Sequence, residues 1–347
     1  MSTLSSFVIF ILILLVYIHI TAQFKKSEDL EIYEADYNSN QQIQDICDIR
    51  QPVLFNIQQS NPAFFEHNIS DLLLHSKTDY EVHVKDIRDN QSGDSILLPF
   101  RSASGLMESD DNGRFYSENN FEVTTDIIEH HYQSMDELLK PKFTAQTKYD
   151  ILFGSNGSHT TTRYHTHYRH FLCVQTGRVT VKMTPFRSRK LLRVENDYDN
   201  YEFRSRIDVW KPQEQYMNDM EQLKFLEFDV HPGFVLYVPP YWFYSIKYHT
   251  TDTGSALVAG FTYNSVMNLV ANSPQWAMYY FQQYNTTKKT VKTMDLENMT
   301  NNENKEGISS SKSVKKSEQR DVDVIVTDAP LEPTLDFTER ANDQVHS

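Results

Sequence analysis

The chain has 347 residues and an acidic balance, with 33 Lys and Arg against 47 Asp and Glu. That length exceeds what one compact domain usually needs, and no basic stripe of the kind that tracks phosphates is visible, so nucleic acid is not an expected partner. The 2 cysteines, Cys47 and Cys173, can build neither a disulfide framework nor a cysteine zinc site, and Cys173 sits in an apolar run that favours a buried, inert thiol.

The N-terminus comes first in chain order. Residues 7–18 read FVIFILILLVYI, and from Leu4 to Ala22 nothing carries a formal charge apart from any fraction on His19. At about 1.5 Å per residue, such a helix just spans a thin bilayer. A cleaved signal peptide is the competing reading, but MSTLSS lacks the basic side chains that normally open one, and TAQF is a poor cleavage context. A retained transmembrane anchor over 1–24 is therefore expected, with the membrane as a partner. Its sidedness stays open. Lys25 and Lys26 follow the apolar run and lean towards a cytosolic domain, whereas sequons at Asn68, Asn90, Asn156, Asn285 and Asn298 point the other way.

Residues 25–42, KKSEDLEIYEADYNSNQQ, read as a polar stalk, and a globular pattern runs over 43–286. QPVLFNI (51–57), YEVHV (80–84) and SILLPF (95–100) carry strand signals, and residues 122–140 carry helical spacing at Ile127, Ile128, Tyr132, Met135 and Leu138–Leu139. A dense series of strands follows: 149–154, 160–168, 171–175, 178–184, 223–230, 234–238, 244–248 and 255–264. Gly177, HPG at 231–233 and PPYW supply turns between them. Many short strands with turn signals predict a mainly β fold, an antiparallel barrel or two-sheet structure. A helix is expected over 265–284, kinked or split by Pro274. Residues 287–347 have few large apolar side chains and no sustained period, so they read as a disordered tail, interrupted only by VDVIV at 322–326.

Within RYHTHYRHF (163–171), strand alternation puts His165 and His167 on one face, a spacing at which two imidazoles reach one metal ion. His170 has the other parity and is expected in the turn before FLCVQ. On spacing alone, two neighbouring histidines on a solvated strand face are the better explanation of the pattern. The context adds to it. FGSNGS, the Thr run 160–162, His165-Thr166-His167, Gly177 and Pro185 are followed about fifty residues later by Pro232-Gly233, LYVPPYW and Trp242-Phe243. From roughly residue 47 to 268 the chain resembles the jumonji-C/cupin-like family. That resemblance implies a double-stranded β-helix (a jelly-roll, or cupin, barrel) with flanking helices and a kinship with Fe(II)- and 2-oxoglutarate-dependent protein hydroxylases. A branch with His-x-His in place of His-x-Asp, in a membrane or lumenal setting, is most similar.

Departures from the family pattern bear on function. Carried over residue by residue, the resemblance puts the metal ligands at His165 and His167, the second of these standing at the carboxylate position. The third-ligand position falls on Tyr244, whose phenol, with a pKa near 10, is a poor ligand at neutral pH. Neither His249, about 16 Å further along its strand, nor His231 restores the set. The implied co-substrate pocket is lined by Thr162, Val179 and Trp242. The family often has a lysine where Val179 stands, and Val181 and Met183 share its face, so this wall offers a dianion no cation; Arg163 is the candidate substitute. Tyr244 also has a structural reading, in which its ring fills the vacated cavity and its hydroxyl bonds His165 or His167.

The leading expectation is a membrane-anchored pseudoenzyme that binds a protein partner or small ligand. It would hold at most a loose divalent metal (Fe, Zn or Ni), and 2-oxoglutarate is not expected. An active 2-oxoglutarate-dependent dioxygenase with altered ligands is the alternative, and a barrel serving purely as a membrane-tethered scaffold is the third.

Overall fold

In a computed structural model of the chain, residues 3–76, 79–89, 95–123, 128–198, 201–250 and 255–285 are described. The tail over 287–347 with its VDVIV segment, the sequons at Asn90 and Asn298, and Ile127 lie outside these residues. Helix Thr3–Gln23 is long and apolar enough to cross a membrane. Only Ile20 and Gln23 of its residues are covered by the rest of the protein.

The described strands are β1 (Tyr33–Asp36), β2 (Val53–Asn56), β3 (Glu81–Asp86), β4 (Ile96–Pro99), β5 (Phe115–Ser117), β6 (Thr144–Gly154), β7 (Arg163–Tyr164), β8 (Arg169–Thr176), β9 (Arg178–Thr184), β10 (Val194–Asp197), β11 (Glu202–Ser205), β12 (Leu226–Val230), β13 (Phe234–Tyr237), β14 (Phe243–His249) and β15 (Ala256–Ser265). They form a nine-stranded sheet, β1-β2-β13-β8-β15-β6-β5-β3-β4, and a six-stranded sheet, β10-β11-β7-β14-β9-β12. From β6 to β9 the chain alternates strand by strand between the two, and from β12 to β15 it does so again, so β13-β8-β15-β6 face β7-β14-β9-β12.

Side-chain alternation fixes which residues meet inside. Val179, Val181 and Met183 of β9 are buried, while Arg178, Thr180 and Lys182 point outward, Arg178 pairing with Asp229 at 2.7 Å. The inward set joins Leu172, Val174, Leu236, Val238, Trp242, Tyr244, Ile246, Tyr248 and Val258 in one apolar cluster. Burying such side chains stabilises the fold by about 1.5–3 kcal/mol each before entropy is set against it, so opening this interior for a ligand would be costly. Gly177 makes the β8–β9 turn with φ +71, and a Cβ there would lie 2.6 Å from the Ala256 side chain, so only glycine fits.

Several boundaries differ from the sequence reading. Residues 25–42 are not a free stalk: β1 pairs in parallel with β2, and the Lys26 ammonium sits 3.6 Å from the centre of the Phe186 ring. The nine-residue run expected as a strand over 160–168 is a strand only at Arg163–Tyr164. The expected helix over 122–140 is helical over Glu129–Leu139. The C-terminal helix divides at Asn272 into Val266–Ala271 and Ser273–Asn285, with Pro274 in the first turn of the second piece, where its missing amide costs nothing.

Candidate functional site

His165 and His167 leave the end of β7, and His170 lies in β8, not in a preceding turn. Because the chain between Tyr164 and Arg169 is irregular, strand parity does not separate the three. The His165 ring centre is 4.6 Å from that of His170 and 5.3 Å from that of His167. Tyr244 of β14 closes the group, with its ring centre 5.9 Å from that of His170 and 6.1 Å from that of His165. The structure thus brings His165, His167 and Tyr244 together and adds His170.

Hydrogen bonds set the protonation of each ring. Nδ1 of His165 accepts the backbone N–H of His167 at 3.2 Å, so in the neutral ring the proton is on Nε2. That Nε2 is buried and makes no hydrogen bond. His167 Nδ1 lies 3.2 Å from Oδ1 of Asn264, an oxygen that also accepts the Tyr168 amide; Nδ1 therefore donates, and the lone pair is on Nε2. The Arg163 Nε–H donates to the Tyr244 hydroxyl at 3.4 Å, and that hydroxyl lies 3.4 Å from His170 Nε2. The hydroxyl proton is directed at His170, whose Nδ1–H then donates to Thr262 Oγ1 at 2.9 Å. The Tyr244 hydroxyl thus bonds His170, rather than His165 or His167.

All three rings are held neutral. Burial, followed by the neighbouring imidazoles and Arg163, pulls His165 well below its ordinary value. The Val238 backbone acts the other way and is outweighed. Burial also depresses His170 strongly and, with Lys148 adding to it, pushes His167 down to about 3.

Beneath the histidines lies a buried ionic group that the sequence did not announce. Glu118, just past β5, is fully buried; its Oε1 accepts Lys85 Nζ at 2.8 Å and its Oε2 accepts Arg163 Nη1 at 2.5 Å. Glu202 of β11 lies 3.7 Å from the same Arg163 nitrogen. Burial alone would raise the Glu118 carboxyl, but Arg163 and Lys85 overcome it and hold the group well below the usual carboxylate range. Arg163, the candidate substitute for the missing co-substrate cation, is therefore already paired with Glu118, with Glu202 close by and shared with Arg204 at 3.9 Å.

The three residues expected to line a co-substrate pocket do not converge. Val179 and Trp242 are in the apolar cluster of the interior, where the Trp242 Nε1–H has no partner. Thr162 instead lines a cleft of about 440 Å³ with His159, Arg204 and Asp208, a cleft that none of the three clustered histidines borders. His159 Nε2 bonds Asp208 Oδ2 there at 3.0 Å. His249 bonds Thr180 and His231 is exposed; neither joins the histidine cluster.

The donor set does not fit a facial metal site. Proton placement leaves the Nε2 lone pair of His167 as the free imidazole acceptor of the three, and no group of three or more His, Cys, Asp or Glu residues among the described ones is arranged to hold a metal ion. What the cluster leaves unengaged is one buried N–H donor, on His165 Nε2, and one acceptor, on His167 Nε2.

The cupin-like domain family model matches residues 39–282, and the chain belongs to that family. No curated protein matches the chain.

Proposed function

We propose that this cupin-like protein is membrane-anchored and works by binding rather than by oxygenase turnover. The carrying observation is the proton accounting in the histidine cluster: the Nε2 of His165 bears hydrogen, that of His170 is engaged by Tyr244, and no carboxylate completes the set. Fe(II) oxygenases of the related kind need two imidazole nitrogens and a carboxylate on one face. The strand alternation supports a double-stranded β-helix as the barrel, and its interior is occupied by Trp242, Tyr244, Tyr248 and the Val179 wall. Helix Thr3–Gln23, apolar and uncovered, supports the anchor.

His165 Nε2–H, which is buried, and His167 Nε2 together suit a small neutral group that both donates and accepts, such as an enclosed water. The test is succinate release from 2-oxoglutarate by full-length protein in detergent, with Fe(II) and ascorbate supplied and metal content measured alongside. The expected result is no release above background and substoichiometric iron. Succinate formed by the unmodified protein and lost in His165→Ala would establish the altered-ligand dioxygenase instead.

A further inference from the structure

From Ser265 to Asn285 the chain reads SVMNLVANSPQWAMYYFQQYN, 21 residues without an ionisable group apart from two tyrosines short of its end and one near it. In a chain whose charged residues make up 23% of the total, that is an unusual composition for an exposed surface. Yet Val266, Val270, Tyr280, Phe281 and Tyr284 are all exposed, the last at 85%. Phe143 is 88% exposed and lies beside them, since Thr144 pairs with Ser265. These helices are firmly attached: Trp276 stacks on Tyr201 with ring centres 4.2 Å apart, and Asn268 Nδ2 donates to the Thr166 carbonyl at 3.0 Å. They are ordered elements presenting apolar and aromatic side chains outward, not frayed ends.

Their place in the fold says what covers them. Helix Thr3–Gln23 packs against Val266–Ala271, and its covered residues, Ile20 and Gln23, are at its C-terminal end. Three residues further on, Lys26 sits over Phe186 and, at 4.7 Å, Tyr241. Phe186 opens the turn FRSRK, whose Arg187, Arg189 and Lys190 are exposed; Arg189 shares the Phe186 ring with Lys26. Glu28, 3.9 Å from Arg187, is the acidic side chain paired with this group. An aromatic-apolar face and a basic turn therefore flank the point where the apolar helix enters the domain.

We infer that this face, built from Phe143, the helices Val266–Ala271 and Ser273–Asn285 and the basic turn Phe186–Lys190, rests on the bilayer surface and engages anionic phospholipid headgroups. Aromatic side chains favour the boundary between headgroups and acyl chains, and clustered cations beside them favour anionic lipid. The inference rests on the anchor reading. It also ties the bilayer to the histidine cluster, because Asn268 holds the carbonyl of Thr166, between His165 and His167.

The experiment uses full-length protein in proteoliposomes with one cysteine introduced at Phe281→Cys or, as a control, at Asn156→Cys. Asn156 is exposed just past the opposite end of β6 from Phe143. Native Cys47 and Cys173 are buried and escape labelling. With an environment-sensitive fluorophore, the 281 position is expected to be quenched several-fold more by spin-labelled lipid than the 156 position. Arg187→Gln, Arg189→Gln and Lys190→Gln together should reduce that quenching in phosphatidylserine vesicles and leave it unchanged in phosphatidylcholine. Equal quenching at both positions in protein that resists carbonate extraction would overturn this inference alone. So would energy transfer between chains labelled at 281 that grows with protein density, since a second copy would then cover the face. Release of the protein by carbonate would overturn the anchor reading and this one with it.

Discussion

Replacing Glu118 by glutamine probes the buried ionic group directly. The variant keeps the shape of the side chain and removes its charge. Lys85 and Arg163, 7% exposed at their side chains and paired to Glu118 at 2.8 and 2.5 Å, would be left with Glu202 as their buried counter-charge. The amide also presents an NH₂ group to one of two donors. Breaking a buried pair by removing one partner costs about 3–5 kcal/mol, because the other charge stays desolvated. For a domain of this size each kcal/mol moves the midpoint by roughly 2–4 °C, so Tm should fall by roughly 6–20 °C. Thermal unfolding of the full-length protein in detergent, followed by circular dichroism, reads this out. A second variant separates charge from packing: adding Lys85→Met to Glu118→Gln restores neutrality with Arg163 facing Glu202 and should recover part of the loss. A fall of less than about 2 °C in the single variant, or additive losses in the double one, would refute the account of an electrostatically closed cluster.

Three further outcomes follow from the same site. The histidines are neutral when folded, with His167 at about 3, whereas the unfolded chain takes up their protons near pH 6.5; stability is thus fully present above that pH and is lost on acidification towards about 3. Each histidine contributes up to about 1.4 kcal/mol per pH unit, and Asp150, raised by burial to about 7, opposes them with a single proton, so the urea midpoint should drop between pH 7 and 5, and a rise would contradict the pKa order. Tyr244→Phe removes the hydroxyl between Arg163 and His170 and should cost about 1–3 kcal/mol by the same assay, and equal stability would mean that the two 3.4 Å contacts are not hydrogen bonds. His167→Asp with Tyr244→His should raise Fe(II) affinity by titration yet yield no succinate, because Glu118 already neutralises Lys85 and Arg163; turnover would show that a free buried cation is not what the site lacks.

The strands of the two sheets are legible because side-chain alternation and turn residues act locally. The alternation predicts a strand over 178–184, the bounds of β9, and Val179, Val181 and Met183 face inward as it requires. The family was legible from two spaced motif blocks. What the sequence hid is non-local. Strand parity extended through residues 165–168 puts His170 in a turn, but the chain there is irregular and parity carries no information. Lys85 follows the buried Val84 and is itself buried, so it breaks the alternation that would have marked it as solvated. Glu118 lies in a polar stretch, SENN, with nothing local to distinguish it from a surface acid. Its partners come from β3 and β7, sequence separations of 33 and 45 residues.

Residue identity and site chemistry part company at the histidines. A run holding three imidazoles invites a metal reading, and the fold does gather all three rings. What decides the matter is which nitrogen each backbone and side-chain neighbour consumes. Ligating histidines usually donate their second ring N–H to an acceptor, leaving the first nitrogen bare for the ion. His167 follows that rule, donating to Asn264. His165 breaks it, because its Nδ1 is spent accepting the His167 amide, and the proton is left facing inward on Nε2. Binding a cation there would require giving up that bond and turning the amide of the His-x-His motif elsewhere, against the Asn268 contact that holds the Thr166 carbonyl in place. The backbone of the motif, held from the C-terminal helices, therefore works against the metal that its side chains suggest.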